Sequence, residues 1–235
     1  MKDGLRYVWI PPGKFTMWCS PGDGECNTDE RPAQPAEVAK GLWLGQTEVT
    51  VAAWRRYVKA VGGEMPPAPF FNEGWLNERQ PIVNISWNDA QSYCRWAGMR
   101  LPSEVEWEYA ARAGSTAARY GEPGRISWYF VNSAYAAHDV GTKEANTWGL
   151  FDMLGNAEEW VADWYIFSTQ REPNNLRQAL EMAEAAEKEA RNTRPQRALR
   201  GGSWHDISGN VRASVRSSAS PDRREITFGC RCAGE

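Results

Sequence analysis

The chain has very little histidine, no long apolar run and almost no net charge, and each shortage removes a class of function. Among 235 residues only His138 and His205 are histidine. The five cysteines form no two pairs of Cys or His at zinc-ligand spacing, so a structural zinc site is not expected. No segment approaches the roughly 20 apolar residues that cross a bilayer. The opening MKDGLRYVWIPPG holds no apolar stretch of signal-peptide length. Membrane insertion is therefore not expected, and the sequence leaves a cytoplasmic address, a phage-associated one and display through another chain all open. A net charge of −3 gives no general attraction to nucleic acid, which is not expected as a partner. There is no Gly-rich phosphate loop and no Gly-x-Ser-x-Gly elbow.

Tryptophan is plentiful, with 13 residues. Large aromatics of this kind build cores, and their other use is to stack on sugars or planar ligands. Tyr7–Ile10 and Lys14–Trp18 read as strands around Pro11-Pro12-Gly13. Trp43, Leu44 and Val49 lie in a third strand-like stretch. Thr50 can cap a helix carrying Trp54, Tyr57, Val58 and Val61, which Gly62-Gly63 would stop. Ile82–Ile85 reads as a short buried strand, and Ser86 opens a helix with Tyr93, Cys94 and Ala97 on one side. In RLPSEVEWEYAARAG, Ser103 and Glu106 form a capping box and Gly114 is the expected stop. Residues 115–165 are irregular. Asn174–Arg191 is rich in helix formers with a thin apolar stripe, and reads as an exposed inserted helix or a partner contact. Ala198–Arg200 and Ile226–Ala233 read as strands. Cys19 and Cys26 flank a turn-rich loop and are either a disulfide or two free thiols.

Six blocks in one order carry a resemblance. They are DERP (Asp29–Pro32), TEVT (Thr47–Thr50), RLPSEVEWEYAARAG (Arg100–Gly114), WGLFDMLGNAEEW (Trp148–Trp160), RGGSW (Arg200–Trp204) and Gly229-x-Arg231-Cys232. Together they resemble the formylglycine-generating enzyme / sulfatase-modifying-factor family, whose fold is a variant of the C-type lectin fold. The resemblance implies one α+β domain over 1–235, much irregular structure, a helical insertion near 165–196, and terminal strands meeting in one sheet. Family oxidases use two copper-binding cysteines at the second and seventh positions after the RGGSW block. Here those positions are Asp206 and Val211, and neither offers a soft ligand for Cu(I). No copper and no catalysis are expected, with a divergent enzyme of the family as the alternative. Cys232 matches a common non-catalytic family cysteine. The related sulfoxide synthases bind iron through a His-rich helical domain that this sequence lacks. The resemblance also implies a structural Ca²⁺ held by carboxylates of Asp152 and Glu159 and carbonyls of Gly155 and Ala157. The alternative is that Asn156 and Glu159 only brace that loop.

The C-terminal stretch RGGSWHDISGNVRASVRSSASPDRREITFGCR resembles, within this fold, the variable proteins of diversity-generating retroelements. In those a fixed frame surrounds positions that are rewritten by error-prone reverse transcription. The frame residues are Arg200–Trp204, Arg212, Arg216, Pro221-Asp222, Arg224, Gly229 and Arg231. The open positions are His205, Asp206, Ile207, Asn210, Val215, Ser217, Ser218, Ala219, Ser220, Arg223, Glu225, Ile226 and Thr227, with Gly209 a further candidate. Cys230 stands where Phe is usual. The resemblance implies a non-enzymatic protein that presents a hypervariable surface to a protein or glycan ligand. The physical requirement is a buried or hydrogen-bonded frame, with arginines as braces, and open positions facing solvent. A second alternative is an accessory domain that docks a partner through the 174–191 helix.

Overall fold

A computed structural model of the chain describes residues 2–166 and 195–235. The helix expected at 174–191, with its suggested partner contact, lies outside them. Four short strands open the fold: β1 (Tyr7–Ile10), β2 (Gly13–Met17), β3 (Gln34–Val38) and β4 (Leu42–Gly45). Helices α1 (Val51–Val61), α2 (Trp87–Ala97), α3 (Glu104–Arg112) and the single turn α4 (Pro123–Ile126) follow. The remaining strands are β5 (Glu158–Trp164), β6 (Arg197–Arg200), β7 (Arg216–Ala219), β8 (Phe228–Gly229) and β9 (Ala233–Gly234).

The helix starts follow the capping chemistry. Thr50 accepts from the Ala53 amide, and Ser86 and Ser103 form capping boxes with Asp89 and Glu106. α1 and α2 end at Gly62 and Gly98, both left-handed. α3 ends one residue earlier than Gly114 suggests, because Ala113 itself adopts φ 45°.

Two sheets position the C-terminal segment. One has the order β1-β4-β9, so strands from both ends of the chain flank β4. The other has the order β7-β6-β5-β8, with β8 parallel to β5 and the remaining pairs antiparallel. β2 and β3 form a separate hairpin. One apolar cluster packs α1 and α2 on Trp160 and Leu199, and another packs α3 on Ile10, Leu42 and Met153. Trp54, Trp75, Trp87, Trp107, Trp160 and Trp204 are buried, so the core reading holds for these six of the 13 tryptophans. No described helix is long and apolar enough to cross a membrane.

Two expected strands are corrected. Ile82, Val83 and Ile85 are buried but form no strand. The Ile82 amide bonds Val49 and the Asn84 amide bonds Glu225, while Asn84 turns to φ 62°, so no single ladder can form. Ile226–Ala233 breaks into the two-residue strands β8 and β9, because Arg231 turns fully inward between them. Cys19–Cys26 and Cys94–Cys232 are disulfides, and Cys230 is a buried free thiol.

Candidate functional site: a braced C-terminal surface

Four buried arginines tie the C-terminal segment to carboxylates from earlier in the chain. Arg200 is fully buried, pairs with Glu108, and donates to the carbonyls of Ala213 at 2.8 Å and Ser214 at 2.9 Å. Arg212 is fully buried and grips Glu30 through two donors at 2.7 and 2.8 Å. Arg216 grips Glu104 at 2.6 and 3.0 Å. Arg231 meets Glu159 at 2.6–2.9 Å and donates to the Gly45 and Phe151 carbonyls at 3.0 Å. Each pair is bidentate or carbonyl-supported, the geometry that makes a buried charge tolerable. The frame arginines are therefore braces.

The rest of the frame is held as firmly. Gly201 and Gly202 have φ 96° and 68°, and a Cβ on Gly202 would stand 2.7 Å from the Asn210 carbonyl oxygen, so only glycine fits. Trp204 is buried with its indole N–H directed at the Ile226 carbonyl, 3.4 Å away. The Pro221 carbonyl accepts from the Trp87 amide and Asp222 accepts from Asn88, which pins this turn to the start of α2. Arg224 pairs with Asp89 at 2.7 Å on the surface.

Between these braces, His205, Ile207, Asn210 and Arg223 are exposed. Asp206, Gly209, Ser217, Ser218, Ser220, Glu225, Ile226 and Thr227 are partly exposed. Two expected surface positions are corrected. Val215 is 6% and Ala219 8% exposed, at the two ends of a β7 stretch whose middle residues Ser217 and Ser218 alone reach partway to the surface. Neither can meet a ligand without repacking. Asp206 reaches the surface, but its carboxylate is spent on the loop. It accepts from the Ser203 amide at 2.9 Å, the Ser203 hydroxyl at 2.7 Å and the Asn210 amide group at 3.2 Å. Val211, the second position of the family's thiol pair, is completely buried.

The structure adds neighbours that the motif did not mark. Phe71 packs 5.4 Å from Trp204, and Phe70 beside it is 70% exposed. Phe130 stands 6.3 Å from His205 and 5.4 Å from Tyr135. The Phe130 amide bonds the Asp206 carbonyl. An aromatic rim thus borders the open positions. Its residues come from loops 70–71 and 130–135, and no local pattern links them to residue 205. Glu158, at the start of β5, is a second addition. Burial pushes its carboxyl up to about 7, Ser217's hydroxyl works against that rise, and the nearby Asp206 charge adds to it.

The segment Asp152–Glu159 does not fit a calcium site as the resemblance implies. Both carboxylate oxygens of Glu159 are taken by Arg231, and one also accepts the Trp107 indole N–H at 2.7 Å. A cation beside Glu159 would therefore face a guanidinium. Asp152 uses one oxygen for the Gly141 amide at 2.6 Å and leaves the other buried without a partner. Burial raises Asp152 to about 6 and pushes Glu48 well up, with neighbouring carboxylates adding to the rise. The buried acids at 48 and 152 thus favour their protonated forms. Asn156 also braces the loop, accepting from the His138 amide at 2.8 Å and donating to Glu48 at 3.3 Å. No described cluster of three His, Cys, Asp or Glu residues is arranged to hold a metal.

The fold and site together define a domain of α+β, C-type-lectin-like type with an arginine-braced C-terminal face. The chain matches the Sulfatase-modifying factor enzyme 1-like domain over residues 2–235 and belongs to that family. It is 29% identical to a formylglycine-generating enzyme of Streptomyces coelicolor, covering 97% of this chain and 88% of that one. It is 35% identical to an inactive C-alpha-formylglycine-generating enzyme 2 of Bos taurus, over 65% of this chain and 50% of the relative. The solved structure of Treponema denticola variable protein 1 superposes with a TM-score of 0.75 at 22% identity, covering 98% of this chain and 95% of that one. The family thus holds both active and inactive members, and membership alone does not assign catalysis.

Proposed function

We propose that the chain is a non-enzymatic binding protein whose C-terminal face is a hypervariable surface written by a diversity-generating retroelement. Its ligand is a protein or glycan on a cell or phage surface. The observation that carries this reading is the partition of residues 200–231. Arg200, Arg212, Arg216 and Arg231 and the glycines of the frame are buried, while His205, Ile207, Asn210 and Arg223 point to solvent between them and Arg224 is held on the surface by Asp89. A backbone fixed by charge-assisted bonds lets side chains be exchanged without refolding, which is the physics of a paratope. Phe70, Phe130 and Tyr135 would supply constant contact area beside the variable one. The absence of sulfur at Asp206 and Val211 supports the non-enzymatic part, because no soft ligand remains for Cu(I) there.

The test is the DNA around the gene. A near-copy of the 3′ coding segment, carrying adenines at the codons of the open positions, should lie beside a reverse-transcriptase gene. Its absence, together with turnover of a cysteine-containing peptide in the presence of copper, would replace this reading with the enzymatic one.

A further inference from the structure

The C-terminal loop leans on a small loop far away in sequence, CSPGDGEC, closed by Cys19–Cys26. Two arginines form the connection. Arg212 donates to Asp23 at 3.0 Å, to the Glu25 carbonyl at 3.0 Å and to the Gly209 carbonyl at 2.7 Å, and its guanidinium lies 3.7 Å from the Cys26 Sγ. Arg119 donates to the Glu25 carboxylate at 3.2 Å and to the carbonyls of Ser208 at 2.5 Å and Val211 at 2.9 Å. A Cβ built on Gly209 would lie 3.4 Å from the Glu25 carboxylate, so the two loops are also in near contact. The disulfides differ in access. Cys19 and Cys26 are half-buried, whereas Cys94 is 0% and Cys232 1% exposed. Thiol–disulfide exchange requires the attacking thiolate to reach a sulfur.

We propose that Cys19–Cys26 is a redox latch on the 206–211 loop. A dithiol reductant opens it before Cys94–Cys232, and opening frees the binding loop while the rest of the fold stays closed. One thiolate of the reductant attacks a latch sulfur, and the other latch cysteine leaves as thiolate. The reductant's second thiol then attacks the reductant sulfur of the mixed disulfide and expels the bound latch cysteine as its thiolate. Two electrons pass to the protein, the reductant departs as a disulfide, and Cys19 and Cys26 each end with a proton. Asp23 and Glu25 then lose their fixed positions under Arg212 and Arg119. Arg212 keeps Glu30 and Ser214, so the release is confined to the outer residues.

The latch regulates the surface described under Proposed function and rests on that reading, but its test needs no ligand, so the two fail separately. The amides of Asp206, Asn210 and Val211 are hydrogen-bonded to Ser203, Ile207 and Ser208, which makes them exchange reporters. The intact protein is titrated with dithiothreitol, alkylated with iodoacetamide and mapped by mass spectrometry, alongside amide exchange. The expected result is alkylation at Cys19 and Cys26 while Cys94–Cys232 remains closed. Exchange at 206–211 should rise at least tenfold, with α2 and α3 unchanged. Reduction of Cys94–Cys232 first, or unchanged exchange at 206–211 once the latch is open, overturns the proposal. The C19S/C26S variant should fold and show the fast loop without reductant. A variant that does not fold overturns the confinement to the loop.

Discussion

At the scale of single residues, Arg212 joins more of the candidate surface than any neighbour, because its fork reaches Glu30, Asp23, Glu25, Gly209 and Ser214 together. Arg212→Ala leaves Glu30 buried without its charge partner and is expected to cost about 3–5 kcal/mol. Arg212→Lys should recover only part, since an ammonium cannot copy the five-donor fork. Urea unfolding of both variants checks this. Asp152 gives a pH signature of the opposite kind. Burial raises its folded value to about 6 from an ordinary 3.8, so the fold prefers the protonated form. Between those values the folded state holds a proton that the unfolded state has lost. Stability therefore falls as pH rises from about 4 to 6, and stays lower above that window. Asp152→Asn keeps an uncharged acceptor for Gly141 and removes its own share of the slope, leaving the part that the raised carboxyls of Glu48 and Glu158 supply. It should be near neutral at pH 4 and stabilising by up to about 3 kcal/mol at pH 7, read by denaturant unfolding. The bracing arginines were legible in sequence, as isolated charges in a run without periodicity. Phe70, Phe130 and Glu158 were not, because their place beside residue 205 comes only from tertiary folding.

At the scale of elements, helices were legible where a cap and a stop bracket an apolar stripe. Ser103 shows this, and Ser103→Ala is expected to cost about 1 kcal/mol by leaving the Glu106 amide without its partner. Strand β7 was not legible. Arg-Ser-Ser-Ala carries no apolar alternation, and its pairing with β6 is imposed by Arg216 on one side and the β6 ladder on the other. The same strand separates surface from core. Joint replacement of Ser217, Ser218 and Ser220 by Tyr should leave the melting temperature within a few degrees, since all three are partly exposed. Val215→Asp or Ala219→Tyr should lower it far more, by an unpaired buried charge or by overpacking. Similar losses in both sets would show that the triple serine surface is core.

For the molecule as a whole, Cys94–Cys232 joins α2 to the C-terminal end across 138 residues. A closed loop of that length restricts the unfolded chain by about 5 kcal/mol in the entropic account, so C94A/C232A should lose stability on that scale. Calcium should matter little. Addition or chelation is expected to move the melting temperature by less than about 1 °C, because Glu159 already belongs to Arg231. A rise of several degrees would reverse that assignment. The family and the α+β class were legible from six ordered blocks. The two-residue strands near the C-terminus were not, because Arg231 interrupts a run that composition alone reads as continuous.

The buried pairs also set an order of events during synthesis. Glu30, Glu104, Glu108 and Glu159 leave the ribosome first, and Arg212, Arg216, Arg200 and Arg231 follow. At about 5–20 residues per second, Glu30 waits roughly ten to forty seconds for Arg212. Until then, closing the core would strand carboxylates without counter-charges. The early carboxylates therefore depend on arginines made later, and an error in residues 200–231 reaches every layer that those pairs brace.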